Sequence, residues 1–362
     1  MNPQAVTAGC AQLTDLRIPS AGARAKALAK QLVGRGGAER DPMFWPAGLL
    51  MLGLSAVSGT APSQAQSEMI DEALCAHFDW WLTRDHGLLR HIDDVLAGTA
   101  LMELTKRLSA RGQQETVARF HTAVSRIGRY CLEAPRDALG AIIYHPVRGD
   151  HKIFADGVGQ TALFLSRYSQ YCLLRSDAEE AARARELAQA QLHLFRRFGM
   201  DARSGLPYHA YEYREAADQA DGLGIIGWGR AVGWLMMGLA AYFISDDGTD
   251  QELRRWYEEL QACVRSYVRR NGLFSWALPC MAGPTDTSAS GMIHWAMACA
   301  GGDAASLAQA RQTIEAQFLD NRGHVLGALS ACEDIGVHRQ VYGAYPWGQG
   351  AYLLLCGMGD KE

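Results

Sequence analysis

Three things are scarce or missing in this sequence, and each closes off a class of protein. Positive charge is not in excess: 35 lysines and arginines stand against 39 aspartates and glutamates, for a formal net charge of −4, with the signs interspersed. A basic face for nucleic acid is therefore not expected. Nor is there a clean apolar run long enough to span a bilayer. The longest candidates, Met43–Val57 and Ile225–Phe243, are interrupted by Pro, Gly or Arg and fall short of the roughly 20 apolar residues a spanning helix needs. No apolar stretch follows a basic start at the N-terminus, so no secretory signal is read there. A soluble, cytoplasmic protein with no membrane partner is the expectation. Cysteine, finally, is present without a pattern. Nine cysteines are scattered from Cys10 to Cys356, with no CxxC pair and no Cys/His cluster. That spacing suits free thiols in a reducing compartment rather than a zinc site or a disulfide framework, so no metal and no cofactor are expected.

Alternating strands are also missing, as are a Gly/Ser-rich linker and any exact short repeat. What fills the 362 residues, 48% of them hydrophobic, is a succession of helical patterns. They run over Ala23–Leu32, Gln66–Trp81, Asp94–Leu108, Gln113–Leu132, Thr161–Leu174, Ala178–Phe198, Ala231–Phe243, Gln251–Arg269, Ser288–Ala300, Ala304–Phe318 and Gln349–Cys356. Apolar residues recur in them at three- and four-residue spacing, as at Leu187, Leu192, Leu194 and Phe195, the signature of amphipathic helices. One helix per about thirty residues is the density of six helical hairpins, although a helical solenoid would have the same count. The simplest architecture is one all-α domain over 1–362, with residues 1–20 a loosely ordered N-terminal segment.

Four segments mix aromatics with Asp, His or Arg in a way that packing alone does not require. In LLRHIDDVLAG, Asp93 and Asp94 follow His91 just ahead of a helix; a helix cap explains them as well as chemistry does. In AIIYHPVRGDHKIFADGVGQ, Asp156 lies between the apolar Ile153–Ala155 and a Gly-Val-Gly turn, with His145 eleven residues earlier. Apolar surroundings disfavour the ionised carboxyl, which suits a general acid; an N-cap for the Thr161 helix is the plainer alternative. SGLPYHAYEY crowds Tyr208, His209, Tyr211 and Tyr213 together, a set that could bind sugar faces or simply pack. In GIIGWGRAVGW, Arg230 enters an apolar helix between Trp228 and Trp234. Buried there, it needs an anionic partner, either a substrate carboxylate or an internal acid. Carboxylates for proton transfer, aromatic rings for sugar faces and an arginine for an acid group together suggest a sugar-acid site.

These blocks resemble, in order along most of the chain, the unsaturated rhamnogalacturonyl hydrolases of glycoside hydrolase family 105, and more distantly the unsaturated glucuronyl hydrolases of family 88. The resemblance runs from WPAGLLMLG, beginning at Trp45, through IDDVLAGTALMEL, PRDALGAIIYHPVRGDHKIFADG, SGLPYHAYEY, GWGRAVGW and DTSASGMIHWAMACAGG to the helix at Gly350–Leu355. It implies an (α/α)6 barrel that needs no metal and removes a 4,5-unsaturated uronic acid from lyase-generated oligosaccharides. The implied reaction is protonation of C4, addition of water at C5 and opening of the resulting hemiketal. On this chain the resemblance makes Asp156 the general acid and base, and Asp93 the second carboxylate, with Asp94 the lesser candidate. It places Trp45, His145, Tyr208, His209, Trp228, Arg230 and Trp234 around the substrate, an unsaturated disaccharide bound by a monomer or homodimer. Val158, Gly159 and Gln160 stand where the family has an aromatic and Met, and Phe154 where it has Trp, which implies a different neighbouring sugar. Two other functions fit the same barrel: a sugar epimerase or isomerase working through His145 and His209, and a non-catalytic carbohydrate-binding toroid.

Overall fold

A computed structural model describes residues 2–17, 41–146, 151–245, 249–301 and 304–359. Among them are twelve α-helices: α1 (Pro3–Arg17), α2 (Trp45–Gly59), α3 (Gln64–Arg84), α4 (Val95–Ala110), α5 (Gln114–Leu132), α6 (Ala155–Leu174), α7 (Ala178–Phe198), α8 (Gly229–Ser245), α9 (Gln251–Arg265), α10 (Thr287–Cys299), α11 (Ala304–Phe318) and α12 (Pro346–Gly357). Packing sorts them into two rings. α2, α4, α6, α8, α10 and α12 each touch the next, and α12 returns to α2, closing an inner ring. α3, α5, α7, α9, α11 and α1 pack outside as their hairpin partners. This is the six-hairpin toroid.

The sequence pattern explains the sorting. In α9 the buried residues Leu253, Trp256, Tyr257, Leu260, Gln261 and Val264 form one stripe, as an outer helix with one face to water should. In α8 every residue from Gly229 to Tyr242 is buried, so this helix is surrounded by protein. The inner ring closes because its helices cross backbone to backbone. A Cβ at Gly53 would lie 2.3 Å from the Gly350 carbonyl oxygen, and one at Gly159 would lie 2.3 Å from the Trp234 carbonyl.

Two small sheets sit at one end of the barrel. β1 (Lys152–Phe154), β2 (Ala210–Arg214) and β3 (Gln219–Leu223) form an antiparallel sheet, with Phe154 opposite Ala210. β4 (Ala328–Leu329) pairs with β5 (Tyr342–Gly343), and Ser330 N donates to the Val341 carbonyl at 2.8 Å. These two close a hairpin loop over residues 330–341.

Two expectations need correcting. Residues 3–17 are a helix, α1, with Ala5, Val6 and Leu13 buried, and the Gln349 amide donates to the Ala5 carbonyl at 2.8 Å. α6 begins at Ala155, not Thr161, so Gly157, Val158 and Gly159 are helical and make no turn. Glycine there serves the close approach to α8. The expected helix Ala23–Leu32 lies outside the described residues. None of the nine cysteines forms a disulfide. Among the described residues no helix is long and apolar enough to cross a membrane.

Candidate active site

The ends of the inner helices meet at the sheet-bearing mouth. Trp45 opens α2, and Asp93 and Asp94 lie in the 3-10 turn Ile92–Asp94 that leads into α4. Asp156 is in the first turn of α6, Arg230 in that of α8 and Trp347 in that of α12, while Asp286 precedes α10. Helix N-termini carry partial positive charge, so a cup ringed by them favours an anionic ligand. The residues before α2, α6 and α12 are Phe44, Phe154 and Tyr345, none capping through a side chain. On the outside, Ser63, Asp177 and Asp250 cap α3, α7 and α9. Aromatic residues thus precede three of the inner helices at the mouth, while Asp286 caps a fourth, α10, by accepting the Ser288 amide at 3.0 Å.

Within the cup is a cavity of about 200 Å³. Its wall contains Phe44, Trp45, Tyr144, His145, Phe154, Asp156, Gln160, His209, Trp228 and Arg230, together with Ala331–Ile335 of the hairpin loop. Six of the residues picked out from sequence are therefore brought together: Trp45, His145, Asp156, His209, Trp228 and Arg230. Asp93, Asp94, Tyr208 and Trp234 are not on the wall.

Asp156 caps nothing. Its Oδ2 is buried without a hydrogen-bond partner, and His209 Nε2 stands 3.5 Å away in ion-pair range. The small sheet sets this pair. β1 runs directly into α6, and the Ala155 amide donates to the His209 carbonyl at 3.0 Å. The His209 ring lies edge-on to Phe154 at 5.3 Å and 4.5 Å from the Trp228 ring. His145 approaches Phe154 from its own loop, at 5.8 Å.

The two neighbouring aspartates separate by geometry. Asp94 Oδ2 accepts the backbone amides of Arg90 at 2.6 Å and His91 at 3.0 Å, which makes it a bracket for its own turn. Asp93 lies behind the wall, its Oδ2 accepting the Tyr144 hydroxyl and its Oδ1 without a partner. Burial pushes the Asp93 carboxyl up to about 8, against the hydrogen bond from Tyr144 and with help from the charges of Asp156 and Asp41. The charge of Asp156 thus helps keep Asp93 protonated.

Arg230 meets an internal acid. Its Nη1 donates to the Leu329 carbonyl and its Nη2 to the Ser330 carbonyl, both at 2.8 Å, and Nη1 is 3.5 Å from Asp286 Oδ2. Its guanidinium lies 4.8 Å from the Trp228 ring and 5.8 Å from those of Trp45 and Trp347. Both terminal nitrogens are engaged in holding the base of the hairpin. Trp234 is buried deeper in α8, edge-on to Trp45 at 6.5 Å, because six residues of helix carry it down the barrel and away from the mouth. Tyr208 turns outward, its hydroxyl 3.3 Å from Asp201 Oδ1 and its ring over Gly222; its neighbour His209 takes the inward position.

Sequence reasoning missed Tyr144 and the hairpin, and marked Gln160 only as a departure from the family pattern. Gln160 is four residues after Asp156 and hence on the same helix face; its Oε1 is buried without a partner. That spacing was legible once α6 is started at Ala155. No local signal marked residues 330–341.

Comparison with known proteins identifies the family and the fold. The family described as Glycosyl Hydrolase Family 88 matches residues 28–355. The chain belongs to that family. It is a glycoside hydrolase of family 88, and no curated protein matches it. Among solved structures, the unsaturated glucuronyl hydrolase from Bacillus sp. GL1 is similar with a TM-score of 0.67 at 15% identity, covering 99% of this chain and 97% of that one. A family 105 glycoside hydrolase from C. acetobutylicum has a TM-score of 0.65 at 17% identity, covering 92% and 98%. A possible family 105 member from Salmonella enterica has a TM-score of 0.70 at 15% identity, covering 86% and 82%. At these identities the likeness shows the shared fold. The motifs resembled family 105 more closely than family 88, and both have this toroid.

Proposed function

We propose that this family 88 glycoside hydrolase removes a 4,5-unsaturated uronic acid from the non-reducing end of short oligosaccharides, with Asp156 as acid and base. The carrying observation is Asp156 itself, a carboxyl on the cavity wall whose buried Oδ2 no protein group satisfies. Helix N-termini favour the anionic sugar, and Trp45, Phe154 and Trp228 offer faces for its ring. The Asp156 carboxylic acid gives its proton to C4 of the enol ether, leaving positive charge shared by C5 and the ring oxygen. Water then bonds to C5 and surrenders a proton to the Asp156 carboxylate, which regenerates the acid. The C5 hemiketal opens to a ketone, and the hemiacetal left at C1 releases the neighbouring sugar as an alcohol. Asp93, neutral behind Tyr144, adds no second charge during this cycle. His145 and His209 bond hydroxyls or the attacking water.

The test is the ultraviolet absorbance of the conjugated enoic acid in lyase-generated disaccharides from pectin and glycosaminoglycan sources. Absorbance should fall on at least one of them. Asp156→Asn should slow that fall by about 10²–10⁴-fold, the range for loss of a general acid or base. Absorbance that persists on every member of the panel rejects the reading.

A further inference from the structure

We propose that His338, on the hairpin over the cup, binds the carboxylate of the uronate and that Arg230 does not; the inference rests on the uronate reading above. Arg230 is the one arginine or lysine on the described wall, yet both its Nη atoms already serve the Leu329 and Ser330 carbonyls. A carboxylate accepts hydrogen bonds and donates none, and the ring nitrogens around Trp228 are donors that no protein group engages. The imidazole of His338 packs 4.6 Å from the Trp228 ring and 5.6 Å from the His209 ring. Both His338 ring nitrogens are buried without a partner, and so are Trp228 Nε1 and His209 Nδ1. Buried polar nitrogens are ordinarily paired because leaving them dry costs free energy. Three adjoining rings with unsatisfied nitrogens, beside the one carboxyl oxygen of the described wall that is both buried and without a hydrogen-bond partner, call for an acceptor brought in from outside. A neutral sugar hydroxyl would satisfy one of them; the two oxygens of a carboxylate can take both the Trp228 and the His338 N–H.

Electrostatics supports the same occupant. Burial, with His209 and Arg230 nearby, pushes His338 down to about 4, and Asp156 pulls the other way. The imidazole is therefore neutral near pH 7, and a bound anion favours its protonated form. Because the same loop also supplies Ala331–Ile335 to the wall, anion recognition and closure of the cup reside on one hairpin.

His338→Phe keeps a ring against Trp228 and removes both nitrogens. Its KM for the unsaturated disaccharide should rise about tenfold or more, with kcat within about threefold of the parent, as for an interaction made equally in ground and transition states. In the parent protein, the His338 imidazole followed by NMR should titrate at higher pH with D-glucuronate present and stay unmoved with D-glucuronamide. An unchanged KM, or an imidazole that ignores D-glucuronate, overturns the assignment. If the parent hydrates no unsaturated disaccharide, the reaction reading has failed, and the D-glucuronate titration still decides His338. It decides equally if the Phe variant does not fold.

Discussion

On one side of the cup, Asp156, His209 and Trp228 leave Oδ2, Nδ1 and Nε1 buried without hydrogen-bond partners. On the other, Arg230 is just as deeply buried, but two carbonyls accept from its terminal nitrogens at 2.8 Å, while Asp286 Oδ2, 3.5 Å away, is itself without a hydrogen-bond partner. Both sides carry a charged residue in the first turn of an inner helix, and both look alike in sequence. The difference is in satisfaction. A buried polar group without a partner costs about 1–3 kcal/mol, a cost a fold accepts where a ligand will supply the partner. Donors already given to backbone carbonyls fix structure instead. The Arg230 side holds the hairpin in place, and the Asp156 side leaves the polar atoms that the proposed substrate would satisfy.

The contrast can be broken or sharpened by substitution. The largest effect on catalysis is expected at Asp156→Asn, the 10²–10⁴-fold loss of turnover given above, with the melting temperature unchanged or raised because an unsatisfied buried carboxyl has gone. Arg230→Met should instead lower stability by about 3–5 kcal/mol, since it leaves Asp286 as an uncompensated buried charge; urea denaturation measures this. A stable Arg230→Met protein that failed only in KM would return Arg230 to the substrate and collapse the comparison.

Asp93 offers a finer test. Its folded-state value of about 8 lies above the ordinary 3.8, so the folded protein keeps a proton that the unfolded chain has released. The stability this confers is complete below about pH 4 and is lost as pH rises through about 8, at up to about 1.4 kcal/mol per pH unit. Asp93→Asn is neutral throughout, so its melting temperature should gain on the parent's steadily across that window. A constant offset would mean that Asp93 is not the protonated carboxyl. The smallest effect is expected at Tyr208→Phe, which loses one outward 3.3 Å contact to Asp201 and should change kcat/KM by less than about twofold.

Much of this architecture was legible in the chain, for reasons visible in particular elements. α7 and α11 were read with their boundaries intact, because an amphipathic stripe ends where a loop begins. α6 was started six residues late because Gly157 and Gly159 look like a turn; tertiary packing against α8 overrides that preference and shows what the glycines are for. The missed start also hid Gln160 from its helical neighbour Asp156.

What the sequence determined by itself was the succession of helices and the set of unusual residues at their N-terminal ends, since both follow from local periodicity and from side chains that a core would not choose. What only the tertiary structure decided was which of those residues share a cavity. Asp93 and Asp94 are adjacent in the chain, yet one lies against Tyr144 and the other folds back on its own turn. Tyr208 and His209 are adjacent too and point opposite ways. Arg230 and His338, more than a hundred residues apart, meet through Trp228. Local sequence specifies a backbone path, but whether a polar atom ends with a partner depends on segments brought together only when the ring closes.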